Sequence, residues 1–132
     1  MTVRKYRILV VDDDPSVLFT YQMILEQKGY DVVGASSPDE ARRSVESSKF
    51  DLLLCDLSLG HNASGFDVIE HAQACQPGLP ALLLTGYAGK EISDRAQRQG
   101  ISLLLKPVDI QEFLNIVRVH LKNAQERKAA NG

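Results

Sequence analysis

Three aspartates, a threonine and a lysine stand out in this chain by where they fall. Asp12 and Asp13 directly follow Ile8-Leu9-Val10-Val11, and Asp56 follows Leu52-Leu53-Leu54-Cys55. Thr85 follows Leu82-Leu83-Leu84, and Lys106-Pro107 follows Leu103-Leu104-Leu105. Short, continuously apolar runs bounded by polar residues predict strands buried on both faces, as in parallel sheets. Parallel strands end along one edge, so the four features converge there, where open α/β sheets bind their ligands. Three carboxylates, a hydroxyl and an ammonium in one cleft make a site for a divalent cation and a phosphoryl group. Two adjacent carboxylates ~5 Å apart at an effective dielectric near 20 repel by roughly 3 kcal/mol, a cost that a bound cation removes. Hard oxygen donors that leave space for water suit Mg²⁺ better than a caged Ca²⁺. Without a His or Cys partner, the carboxylates argue against zinc.

Each of these residues also has a plainer use. Asp14 reads as the N-cap of a following helix, with Pro15 at N1. A lone Asp56 is a turn-forming strand end, a lone Thr85 a strand-end hydroxyl bonding to nearby backbone, and a lone Lys106 a snorkelling surface lysine. Together, at the ends of successive strands, these uses require four separate coincidences. Pro107 holds itself and Lys106 extended, which limits where the ammonium can reach. Cys55 falls in an apolar run and reads as a small core hydrophobe, and with Cys75 it forms no metal-like or disulfide-framework spacing.

Positioning these groups requires strand and helix to alternate five times. Val17, Leu18, Tyr21, Ile24 and Leu25 give the first helix one apolar face, and Gly29 closes it at C′. A second strand is expected at Asp31 to Ala35, then a helix opened by Ser37-Pro38-Asp39-Glu40. After Asp56 comes a loop from Leu57 to Ser64, and Gly65 opens a helix that stops before Pro77-Gly78. The fourth strand spans Ala81 to Leu84. The helix from Lys90 to Gln99 has only Ile92 and Ala96 as clear apolar contacts and should be the most weakly docked. The fifth strand runs to Leu105, and the last helix has Ile110, Phe113, Leu114, Val117 and Leu121 as its inward stripe. The tail from Asn123 is polar and is expected to fray or serve as a linker. Right-handed crossovers make this a single-domain (βα)5 doubly wound parallel sheet of order 2-1-3-4-5. Its switch point lies between the strands that end in Asp12 and Asp56.

The 132 residues suffice for one domain with a real core, and 44% hydrophobic with 24% charged content is ordinary for a globular chain. A net charge of −2 creates no field that invites nucleic acid or an anionic membrane. No apolar stretch approaches the roughly 20 residues of a membrane span. Met1 to Arg7 lacks the apolar core of a signal peptide. A cytoplasmic protein is expected.

Ile8-Leu-Val-Val-Asp-Asp-Asp-Pro15, Asp56 closing Asp-Leu-Leu-Leu-Cys-Asp, Leu84-Thr85-Gly86 and Leu105-Lys106-Pro107 occur here in one order. In this ordered set the chain resembles the receiver domain of bacterial two-component response regulators, a flavodoxin-like fold, over about residues 6 to 122. The resemblance implies a receiver over residues 1–122 followed by a tail at 123–132. It implies that Asp56 accepts a phosphoryl group from the phosphohistidine of a histidine kinase or histidine phosphotransfer protein. Asp13, Asp56 and the backbone carbonyl of Ser58 would hold Mg²⁺, with Asp12 acting through water, while Thr85 and Lys106 would bind phosphoryl oxygens. Such a domain catalyses only its own phosphorylation and dephosphorylation. Its output would pass through protein contacts, including a homodimer through the fourth helix, fifth strand and fifth helix. Gly60 stands where the family commonly has proline, and Leu103 where it commonly has Tyr or Phe, so Leu103 and Tyr87 are the switch candidates.

Two other readings compete. A haloacid-dehalogenase-like phosphohydrolase would use Asp12 as nucleophile and Asp14 as acid/base. After its lysine, Asp109 and Glu112 are spaced on a helix and make no further acidic motif, and Asp56 would have no role. A pseudo-receiver would bind partners without being phosphorylated.

Overall fold

Successive residues of each apolar run feed two different cores, as the two-residue period of a strand requires. Ile8, Val10, Leu52, Leu54, Leu82 and Leu84 share one core, while Leu9, Val11, Leu53, Cys55 and Leu83 share the other. The computed structural model describes residues 5–60 and 62–131, with side chains as far as Asn123. Of the N-terminal stretch Met1 to Arg7, the first four residues lie outside the described residues, as do His61 of the loop after Asp56 and the terminal Gly132.

The elements alternate as β1 (Arg7–Val11), α1 (Pro15–Gln27), β2 (Asp31–Ala35), α2 (Pro38–Ser47) and β3 (Leu52–Asp56). They continue as α3 (Gly65–Cys75), β4 (Ala81–Thr85), α4 (Lys90–Gln99), β5 (Ser102–Leu105) and α5 (Ile110–Asn131). All strand pairs are parallel, in the expected order β2-β1-β3-β4-β5. Leu25 of α1 and Phe113, Val117 and Leu121 of α5 cover one face. Ala41 and Val45 of α2, Phe66, Ile69 and Ala72 of α3, and Ala96 of α4 cover the other.

Local chemistry sets the helix starts. Asp14 Oδ1 accepts from the Ser16 N–H at 2.9 Å and the Val17 N–H at 3.4 Å, and Pro15 follows it at N1. Ser37 Oγ accepts from the Glu40 N–H at 3.2 Å, and Glu40 reaches back to the Ser36 N–H at 2.8 Å. Ser64 Oγ caps α3 through the Phe66 N–H at 3.1 Å. Gly89, before α4, offers no side-chain cap, and Gly100 ends that helix in the left-handed region at φ 69°.

Four features differ from the periodic pattern. Leu105, the last residue of the fourth apolar run, is 55% exposed at the end of the edge strand β5 and not buried on both faces. Of the apolar face expected on α1, Leu25 alone is fully buried; Val17, Tyr21 and Ile24 line an open groove of about 330 Å³ against Val108, Ile110 and Phe113. Ile110, expected in the inward stripe of α5, is 51% exposed, because the first turn borders that groove instead of lying on the sheet. The polar tail from Asn123 continues as helical backbone to Asn131.

Candidate functional site

Strand register carries the polar residues to one edge. Val11 pairs with Cys55, so the next residues, Asp12 and Asp56, leave β1 and β3 side by side. Asp56 pairs with Leu84, which sets Thr85 one step further along, and Thr85 pairs with Leu105, which sets Lys106 one step beyond that. The side chains of Asp12, Asp13 and Asp56 each bring a carboxylate oxygen within 4.8 Å of the others. Lys106 Nζ lies 3.0 Å from Asp56 Oδ1 and 3.9 Å from Asp12 Oδ2.

The electrostatics follow from burial. Asp12 is only 3% exposed, and desolvation pushes its carboxyl above the ordinary value, with the charge of Asp56 adding to the rise. The Asp14 N–H, donating to Asp12 Oδ1 at 2.9 Å, and the Lys106 ammonium oppose that rise without cancelling it. Burial pulls Lys106 downward, but its bond to Asp56 and the charges of Asp56 and Asp12 outweigh burial, so the ammonium is held above its usual range. One lysine thus faces three carboxylates, and Asp13, exposed to solvent, leaves the cluster open on its side. An all-oxygen, solvent-accessible donor set with surplus negative charge fits Mg²⁺.

The loop after β3 folds back as a short hairpin. The Leu59 N–H donates to the Ala63 carbonyl at 3.2 Å, and the Gly65 N–H donates to the Leu57 carbonyl at 2.7 Å. Ser58 and Ser64 form an antiparallel bridge between those bonds, so the Ser58 carbonyl is not committed to Ser64. Gly60 sits at φ 75°, and a Cβ there would lie 3.2 Å from Asp13 Oδ2. Proline, locked near −65°, cannot take that conformation, which accounts for glycine at this position.

The remaining candidates are placed less directly. Thr85 is buried, and its hydroxyl is engaged within its own loop, donating to the Tyr87 carbonyl at 2.8 Å and accepting from the Tyr87 N–H at 3.2 Å. The Tyr87 ring is 74% exposed and lies over Gly89, where a Cβ would come within 2.8 Å of it. Leu103 is half-buried and packs into the core shared with α2, α3 and α4. Asp14, the acid/base of the phosphohydrolase reading, spends its carboxylate on the α1 cap. Burial pushes the Cys55 thiol strongly up, so it stays protonated in the core.

Gly65, read from the sequence only as a helix start, also shapes the site. A Cβ there would collide with the Asp56 carbonyl oxygen and come within 2.8 Å of Leu83 Cδ1, so the start of α3 is pressed against the backbone of Asp56. A glycine directly after the Ser64 cap, where better helix formers are available, is the signal that could have found it.

Known proteins resemble this chain in sequence and in fold. The family model for the response regulator receiver domain matches residues 8–118. The transcriptional regulatory protein GlrR of Escherichia coli (strain K12) is 36% identical over 110 residues, covering 83% of this chain and 24% of that protein. The chain therefore spans about a quarter of the length of the curated relatives it matches. A CheY-like receiver domain protein from Methanospirillum hungatei JF-1 superposes with a TM-score of 0.88 at 31% identity, covering 94% of this chain and 99% of that one. A response regulator from Burkholderia pseudomallei, solved with a phosphorylated aspartic acid, calcium ion and citrate, gives a TM-score of 0.79 at 31% identity, covering 97% and 75%.

Proposed function

Because this chain belongs to the response regulator receiver domain family, we propose that Asp56 is its phosphoacceptor and takes its phosphoryl group from the phosphohistidine of a histidine kinase or histidine phosphotransfer protein. The observation that carries the assignment is Asp56 paired to Lys106 at 3.0 Å, beside the acidic pair on the adjacent strand. The phosphorylated aspartate and calcium ion of the Burkholderia relative support the same reading.

An Asp56 oxygen attacks phosphorus in line, the bond from phosphorus to the histidine nitrogen breaks, and an aspartyl phosphate results. Lys106 pairs with the added phosphoryl oxygens and limits how far the anion moves. The Thr85 hydroxyl reaches the same oxygens by leaving the Tyr87 carbonyl. Asp13, Asp56 and the Ser58 carbonyl, with Asp12 through water, would hold Mg²⁺, which neutralises charge on the transferring group.

The receiver occupies residues 1–122, and its output passes through protein contacts at α4, β5 and α5, a second copy of the chain among them. The domain acts in the cytoplasm, without nucleic acid or membrane, and turns over only its own phosphoryl group. Among the described residues no helix is long and apolar enough to cross a membrane.

Incubation with acetyl phosphate and Mg²⁺ tests this proposal. A single mass gain of ~80 daltons, one phosphoryl group, is expected on Asp56 and should be abolished by Asp56→Asn. Label on Asp12 would restore the phosphohydrolase reading, and no label under any condition would favour the pseudo-receiver.

A further inference from the structure

Cys75, exposed in the last turn of α3, shares one helix face with His71, four residues earlier. Docking of α2 brings Glu46 to the same point, with its Oε2 3.2 Å from His71 Nε2, while Cys75 Sγ lies 3.5 Å from that nitrogen. The carboxylate, imidazole and thiol each present a donor atom within 4.8 Å of the others.

We propose that Glu46, His71 and Cys75 form a binding site for a borderline-soft divalent cation of the Zn²⁺ kind, clamping α2 to α3. Zinc bond lengths to sulfur, nitrogen and oxygen, set at tetrahedral angles, require edges of about 3.4 Å for N···O and about 3.6 Å for S···N. The two edges that meet at His71 Nε2 are thus already close to what the ion needs. A single imidazole nitrogen holds one proton at most, so hydrogen bonding serves both neighbours only by sharing that proton or with help from solvent. A cation engages all three lone pairs at once.

The mixed sulfur, nitrogen and oxygen set selects Zn²⁺ over the Mg²⁺ that suits the all-oxygen site at the strand ends. Glu46 and His71 keep 56% and 35% of their side-chain surface exposed, which gives the ion an entry path and leaves water for the fourth position. Binding releases the Cys75 thiol proton to solvent.

The test titrates the full-length chain with Co²⁺, under a phosphine reductant and with excess Mg²⁺ to occupy the carboxylate pocket. One equivalent of Co²⁺ should produce a thiolate-to-cobalt charge-transfer absorption, and Zn²⁺ should abolish it by displacement. Cys75→Ser should remove the absorption, and His71→Gln and Glu46→Gln should each weaken binding roughly tenfold or more. Metal-free melting curves check that all three surface variants remain folded. Absence of the thiolate absorption overturns the proposal. It is also overturned by full affinity in both His71→Gln and Glu46→Gln, which would leave the ion on cysteine alone. Saturation at half an equivalent, an ion shared between two chains, overturns it as well.

Discussion

Asp12 shows how a single residue couples stability to the site. Its carboxyl holds a proton more tightly in the folded chain than the ordinary value of 3.8 because it is buried beside Asp56. The sign follows from linkage. Between that ordinary value and the raised one the native state binds more protons than the unfolded state, so stability falls as pH rises through the window and stays lowered above it. Asp12→Asn keeps an oxygen for the Asp14 N–H and removes the charge. Without Mg²⁺ it should therefore stabilise the fold near pH 7 and give no gain near pH 3. Urea denaturation at the two pH values measures this. An Asn variant less stable at pH 7 would show that Asp12 is satisfied as a charged group.

At the scale of elements, α4 has the least to hold it. It buries Ala96, half-buries Ile92 and begins without a side-chain cap. Arg95 adds what the apolar pattern did not foresee: its guanidinium lies 4.3 Å above the Phe66 ring centroid and 3.8 Å from Asp67 Oδ1, tying α4 to α3. An exposed ion pair and one cation–π contact are modest anchors. Leu103, with no ring to flip, is packed into the core. The connection we propose to move is the Thr85 hydroxyl, bonded to the Tyr87 carbonyl at the root of the loop leading to α4. In the proposed phosphorylation, recruiting that hydroxyl to the phosphoryl group would free the loop. Hydrogen exchange with beryllofluoride and Mg²⁺ should change most at residues 86–99. A change confined to residues 57–64, with α4 unaffected, would move the output surface to the loop after β3.

For the molecule as a whole, a net charge of −2 conceals the concentration of three carboxylates against one lysine at the strand ends. A cation that binds only the folded chain stabilises it by mass action, by about 2.7 kcal/mol at a concentration one hundred times its Kd. Mg²⁺ should therefore raise Tm in a concentration-dependent way. Asp13→Ala should remove most of that response with little effect on the metal-free Tm, because Asp13 is exposed and outside both cores. A wild-type Tm indifferent to Mg²⁺ would mean that the acidic cluster does not hold the ion.

The sequence by itself determined the elements, the sheet order and the residues worth watching. Continuous apolar runs declare the doubly buried strands β1, β3 and β4, though not the edge strand β5, where Leu105 is exposed; Asp14, Ser37 and Gly29 mark helix ends, and each of these signals is encoded within a few neighbouring residues. Tertiary structure alone decided what those residues touch. Strand register set Asp56 beside Asp12 and within reach of Lys106. Helix docking brought Glu46 to His71 and Cys75, a meeting for which the spacing of the two cysteines held no hint. The open groove between α1 and α5 exposed Ile110 although its period points inward. Thr85 was legible as a strand-end hydroxyl, but its present commitment to the Tyr87 carbonyl depends on the path of the following loop. The physical reason is one of range: periodicity and capping are properties of adjacent residues, whereas contacts among side chains dozens of residues apart exist only once strands have paired and helices have docked.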